Sequence, residues 1–269
     1  MTVHTFFGTN GNDKGANALH GTDSSNDVDY IYGLDGSDEL FGHAGIDFLY
    51  GGPSDDRISG GFGVDTIDGG TGLDTLDYSK SGAAVNVNLT TGTASGGEAQ
   101  GDVFSAMEGI AGSSKNDVLW GNGSHNILQG NKGNDEIHGG GYFDLIEGGD
   151  GKDVIDGGTG KDSLYGGKQA DTFDYNTVAD SVVGQPNRDY IDDFSQSQKD
   201  KINLADLATG AGQKFEFVGT DAFDGAGQVR YAVSGSHTSV FINTDADSAA
   251  EMEIELGHAV NMKAKDFVL

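Results

Sequence analysis

Residues 33–77 read GLDGSDELF, GHAGIDFLY, GGPSDDRIS, GGFGVDTID and GGTGLDTLD when cut every nine residues. A second run over 112–174 keeps its own frame: GSSKNDVLW, GNGSHNILQ, GNKGNDEIH, GGGYFDLIE, GGDGKDVID, GGTGKDSLY, GGKQADTFD. Position one is glycine in all twelve copies, and position six is aspartate except at Asn126. Position eight is large and apolar throughout, from Leu40 and Leu49 to Leu164 and Phe173. Such strict phase at a short period marks a repeat architecture. A glycine-rich linker with chance aspartates would not hold an apolar residue at every position eight.

The last residues of each copy form a short strand with one side chain pointing inward, as the two-residue strand period requires. The first six turn the chain through glycines, which accept backbone angles that other residues avoid. Two copies, one strand on each side, complete a coil of 18 residues. Position six then stacks on position six of the next coil, about 4.8 Å away. The columns expected are Asp38, Asp56 and Asp74, facing Asp47 and Asp65. In the second run they are Asp117, Asp135, Asp153 and Asp171, facing Asn126, Asp144 and Asp162.

Carboxylates stacked so closely repel by about 3 kcal/mol per pair at an effective dielectric near 20. A divalent cation between them turns that penalty into attraction. Calcium suits the donors, since it takes 6–8 oxygens from carboxylates and backbone carbonyls. Gly33, Gly36, Gly42, Gly51, Gly60 and Gly69 in the first run, and Gly121, Gly130, Gly139, Gly148, Gly157 and Gly166 in the second, form the turns whose carbonyls complete the sites. Adjacent pairs give about eight Ca2+ sites, fewer if Asn126 weakens its own. A dissociation constant near 0.1 mM makes millimolar calcium worth roughly 1.4 kcal/mol per site. The expected fold is all-β: a parallel β-roll, a calcium-binding solenoid, with a β-rich C-terminal cap.

The composition agrees with this chemistry. The 269 residues include 46 glycines, no cysteine, and 43 acidic against 15 basic side chains, a formal charge of −28. Such a chain would ordinarily be disordered through self-repulsion, and the phase of its aspartates is what makes them ligands. The charge excludes nucleic acid as a partner. Disulfides and thiolate sites are excluded too. No run approaches the roughly 18 apolar residues of a membrane span, and MTVHTFFGTNGNDKG has no signal-peptide pattern.

Five segments follow from the phase. Residues 1–32 are a degenerate N-terminal cap and 33–77 the first array. Residues 78–111 interrupt the register, with Ala84–Leu89 strand-like and Glu108 and Ile110 regaining positions six and eight. The second array is 112–174. Residues 175–269 form the C-terminal cap, with strands at FEFV, VRYAV and VFIN. The offset between the arrays leaves open one roll with a bulged insertion or two rolls.

The nonapeptides, with DTFDY, RDYIDDF and DKINL, resemble the RTX family, particularly the C-terminal region shared by serralysin-type metalloproteases and the repeat modules of mannuronan C5-epimerases. That resemblance implies a protein secreted from a Gram-negative bacterium by a type I ABC secretion machinery, folding when it meets extracellular calcium. Asp266, Phe267, Val268 and Leu269 match the family's acidic-then-hydrophobic export ending, and a final strand packed on the roll is equally expected of them. With Met1, this ending favours a complete small protein over a module of a larger one. A family member similar in size and plan, rhizobial nodulation protein O, implies a host membrane as partner. The epimerase modules imply an extracellular, alginate-like polysaccharide, for which Lys152, Lys161 and Lys168 are the basic set available.

No enzyme is expected. H-E-x-x-H and G-x-S-x-G are absent. The seven histidines are scattered along the sequence without ligand spacing, and His43 and His138 fall at variable, exposed repeat positions.

Overall fold

The computed structural model describes residues 1–184, 187–207 and 214–269, so residues 185–186 and 208–213 of the C-terminal segment lie outside the description. Among the described residues, helix is limited to the 3₁₀ turns Gly15–Asn17, Gly97–Ala99 and Ala264–Asp266. The chain forms two compact units. The first comprises Met1–Asn122 with Asn126–Asp135, and the second Gly123–His125 with Glu136–Leu269.

In the first unit the chain alternates between two parallel sheets. Val28–Tyr32, Phe48–Pro53 and Thr66–Thr71 lie side by side in one. Glu39–Phe41, Arg57–Ser59 and Thr75–Asp77 lie side by side in the other. Leu49 pairs with Ile67, Leu40 with Ile58 and Ile58 with Leu76, each 18 residues apart. These position-eight side chains are all but fully buried, forming a core one residue wide on each side. This is the parallel β-roll that the phase predicts.

Residues 1–32 are a full coil with longer turns. Val3–Phe7 pairs in parallel with Val28–Tyr32, Val3 opposite Val28, a step of 25 residues. Leu19–His20 pairs with Leu40 and Phe41.

The interruption at 78–111 adds extra strands to only one sheet. There Val103–Ser105 follows Thr66–Thr71 in parallel, and Thr93–Ser95 and Asn86–Asn88 add antiparallel neighbours. Asn86–Asn88 then pairs in parallel with Val118–Asn122. The opposite sheet steps from Thr75–Asp77 to Gly109–Ala111 to Ile127–Gln129 without a reversal. Within this unit, then, the first array and the opening of the second share both sheets.

The second unit repeats the plan. Ile137 pairs with Ile155, which pairs with Phe173, then Ile202 and Phe267. Ile146 pairs with Leu164, which pairs with Ile191 and then Leu256. From Met252–Leu256 outward the pairing turns antiparallel through His237–Asn243 and Gln228–Ser234. Alternation in VFIN and VRYAV supplies its buried face, with Val229, Val240 and Ile242 fully covered.

Some glycines are dictated by neighbouring coils. Gly63 has φ +150°, and a Cβ there would lie 1.7 Å from the Gly45 carbonyl oxygen, whereas one at Gly82 would meet nothing within 4 Å. We expect Gly63→Ala to lose at least about 2 kcal/mol in calcium-saturated denaturant melts, and Gly82→Ala to lose well under 1. Equal losses would contradict this packing.

Candidate calcium columns

Each position-six aspartate sits at the junction of turn and strand, where its carboxylate faces the neighbouring coil. One oxygen completes the backbone ladder. Asp56 Oδ1 accepts the Asp38 N–H at 2.7 Å, Asp74 Oδ1 that of Asp56 at 2.8 Å, and Asp65 Oδ1 that of Asp47 at 2.9 Å. Asp135 accepts from Asp117 at 2.8 Å. In the second unit Asp162 accepts from Asp144 at 2.8 Å and Asp171 from Asp153 at 3.0 Å. The expected stacking at 18 residues therefore holds for these pairs.

The second oxygen is different. Oδ2 of Asp38, Asp47, Asp56, Asp65, Asp74, Asp162 and Asp171 is buried without a hydrogen-bond partner. Leaving a buried carboxylate oxygen unpaired is costly, so this row of oxygens is the strongest sign that a cation belongs there. Position-one glycines make the approach possible. A Cβ on Gly33, Gly42, Gly51, Gly60 or Gly69 would fall 2.4–2.8 Å from Oδ2 of the aspartate five residues on, and Gly139, Gly148, Gly157 and Gly166 are equally confined. Gly36, at position four, has φ +124° and packs on Gly11. The Gly121 carbonyl accepts from Thr90 Oγ1 at 3.1 Å, and that of Gly130 lies under Gly112.

Burial, followed by the charges of neighbouring carboxylates, pushes Asp47, Asp56, Asp65 and Asp171 up to about 7. Burial lifts Asp74 and Asp102 to about 6, and Asp38, Asp117 and Asp200 are raised for the same reason. Burial, followed by the charges of Asp144 and Asp156, pushes Asp162 up to about 8, and burial with the charge of Asp162 raises Asp189.

The columns are longer than the nonapeptide phase shows. Asp38 Oδ1 accepts from Asp13 N at 2.7 Å, and Asp47 Oδ1 from Asp29 N at 3.1 Å. Across the interruption, Asp102 accepts from Asp65 N and Glu108 from Asp74 N, both at 3.0 Å. Further on, Asp189 accepts from Asp162 N at 2.8 Å and Asp200 from Asp171 N at 3.1 Å. A signal for four of these was present: D-x-U triplets at Asp29–Ile31, Asp102–Phe104, Asp189–Ile191 and Asp200–Ile202, without the glycine frame.

Asn126 holds the place of an aspartate but spends its amide locally. Its Oδ1 accepts from Asn122 N at 2.8 Å and its Nδ2 donates to the Glu108 carbonyl at 3.1 Å. Lys168 is bound to Asp150 at 2.6 Å, which engages one of the three lysines available for a polyanion. His138 is not the exposed residue expected. It is 18% accessible and held between Glu136 and Asp156, because its outward strand position is flanked by acids on its own and the next strand.

A parallel roll with stacked, unpaired carboxylates and glycine turns defines a calcium-binding RTX repeat protein. The chain belongs to the peptidase M10 serralysin C-terminal family, whose model matches residues 62–269. A model of four copies of the RTX calcium-binding nonapeptide repeat matches 15–49 and 41–76. Among curated proteins, none matches. Two solved subunits of the Azotobacter vinelandii mannuronan C5-epimerase are similar. AlgE6R3 is 28% identical over 58% of this chain and 79% of its own, with a TM-score of 0.31. AlgE6R2 is 25% identical over 59% and 91%, with a TM-score of 0.33. The extracellular lipase LipA from Serratia marcescens aligns with 99% of this chain at 17% identity and a TM-score of 0.20, and the chain spans 40% of its length.

The raised carboxyls set a pH dependence. Without calcium, the fold holds protons more tightly than the unfolded chain does. Protonation therefore stabilises it fully below about pH 4, and that support is lost as pH rises through 6 to 7. Calcium must displace those protons. Titration at pH 6 should release protons and show weaker apparent affinity than at pH 8.5, measured calorimetrically in buffers of different ionisation enthalpy. Identical affinity with no proton release would contradict the assignment.

Proposed function

We propose that the protein is a secreted, non-catalytic calcium-binding RTX protein whose roll folds on calcium after type I export. The observation that carries this is the row of buried Oδ2 atoms without partners. The proposed ligands are Asp38, Asp47, Asp56, Asp65 and Asp74 with Asp117 and Asp135 in the first unit, and Asp144, Asp153, Asp162 and Asp171 in the second. Asp13, Asp29, Asp102, Glu108, Asp189 and Asp200 extend them. Asn126, with no charge and a committed amide, marks the weak member of the set. About eight ions remains the working number for the repeats proper.

The export reading follows from the same chemistry. At the low calcium of a cytosol, the columns repel and the one-residue-wide core is too thin to compensate, so the chain stays threadable. Extracellular calcium then drives folding by mass action. Asp266–Leu269 fits the proposal as well. In the folded unit Asp266 is buried, accepting from Lys263 N at 2.7 Å, and Phe267–Val268 pairs with Ile202 and Asn203. An exporter would read these residues on the unfolded chain, before the strand docks.

The proposal predicts a large gain of β signal in far-UV circular dichroism when calcium replaces chelator. Asp65→Asn, which keeps volume but removes charge, should raise the calcium midpoint several-fold and reduce the ions bound. A spectrum unchanged between chelator and millimolar calcium would sink the reading.

A further inference from the structure

Two of the seven histidines, distant in sequence and outside the calcium columns, meet on the first unit. His20 Nδ1 lies 2.9 Å from His43 Nε2. The other nitrogen of His43 faces the Asp23 carboxylate, Nδ1 to Oδ1 at 3.2 Å. His20 ends the short strand Leu19–His20, its ring stacked on Phe41 at 4.9 Å, and so is braced. His43 takes a left-handed backbone, φ +74°, at repeat position two, where Gly52, Gly61 and Gly70 stand in the next three copies. Such a conformation is costly for a residue with a side chain. Leu34 (φ +74°) and Asn131 (φ +69°) take it at the same repeat position, so it belongs to the repeat turn, and at His43 that turn carries the second imidazole to the first. The turn carrying Asp23 is tied to the same place by the Ala44 N–H, which donates to the Thr22 carbonyl at 3.4 Å.

We propose that His20 and His43 form a binding site for a divalent transition-metal ion of the imidazole-preferring kind, with Asp23 as the residue that orients His43. Calcium does not suit these donors, because it seeks oxygens, whereas imidazole selects zinc, copper or nickel. A carboxylate on the far nitrogen of a ligating histidine fixes its tautomer and raises its basicity, the usual second partner of such ligands. A tetrahedral ion about 2.05 Å from each nitrogen needs them about 3.3 Å apart, so the exposed His20 ring has to move by only a few tenths of an ångström. Two protein ligands leave the remaining positions open. His43 also borders a cavity of about 190 Å³ lined with Phe41, Phe62, Lys80 and Glu98, so a ligand on the ion has room beside it. The site is accessible, with the His43 side chain 36% exposed.

The competing occupant is a direct N–H···N hydrogen bond between the imidazoles. Calorimetric titration of the full chain with Zn2+, in saturating calcium so that the columns are filled, separates the two. The wild type should take up one zinc that His43→Ala and His20→Ala each lose. Asp23→Asn should bind it about 10-fold more weakly, and the calcium-induced circular dichroism of all three should match the wild type. Substoichiometric Cu2+ should broaden the imidazole resonances of His20 and His43 before those of the other five, a test that needs no variant. Zinc uptake unchanged by His43→Ala, zinc displaced by calcium, or copper broadening spread evenly over the histidines would overturn the site.

Discussion

In the first array each coil sets an aspartate on the aspartate of the coil before it, at one strand spacing, and one carboxylate oxygen of Asp56, Asp65 and Asp74 accepts from the N–H beneath. The other oxygen of each is buried without a hydrogen-bond partner. The rest of the structure depends on how that charge is met. The core inside each coil is a single row of leucine and isoleucine, and glycine-rich turns make the chain expensive to order. Without a counter-charge the stacked carboxylates repel, and a divalent cation between them would turn that repulsion into attraction. The upward shift of the buried carboxyls expresses the same balance, a proton standing in for the ion.

The interruption at 78–111 shows what the roll cannot give up. One sheet absorbs a hairpin, while the other steps directly from Leu76 to Ile110. The acid at each junction is preserved by Asp102 and Glu108, although neither lies in a complete nonapeptide. Where the arrays end, Tyr78 and Tyr175 follow LD and FD in place of the position-one glycine, and both rings are buried. Tyr78 donates its hydroxyl to Asp102 at 3.0 Å, a neutral partner for a column acid at a break in the glycine frame.

At the far end, the change from parallel coils to an antiparallel meander covers the last rungs with Val229, Val240, Ile242 and Ile254. An uncovered sheet edge invites pairing with other chains, and the meander moves that edge away from the calcium columns. The Phe267 ring packs tilted against Phe217, centroids 5.3 Å apart, which joins Phe267–Val268 to the meander strand Glu216–Gly219. The last residues of the sequence are thus a strand of the fold, Phe267 and Val268 paired with Ile202 and Asn203.

The nine-residue phase alone determined the roll, the inward row at position eight, the 18-residue coil and the identity of the ion. All follow from local periodicity and the oxygen donors it lines up. The sequence frame also marked the central proposed ligands, from Asp38 to Asp171. Only the tertiary structure decided where the columns continue, because Asp13, Asp102, Asp189 and Asp200 stand 25 to 37 residues from their column partners, separations that no fixed period describes. It also decided how the interrupted register is absorbed, since pairing between strands far apart in sequence is a property of the sheet. And it brought His20 to His43, because only a coil that stacks Leu19 on Leu40 places residues 23 apart on neighbouring rungs of one face.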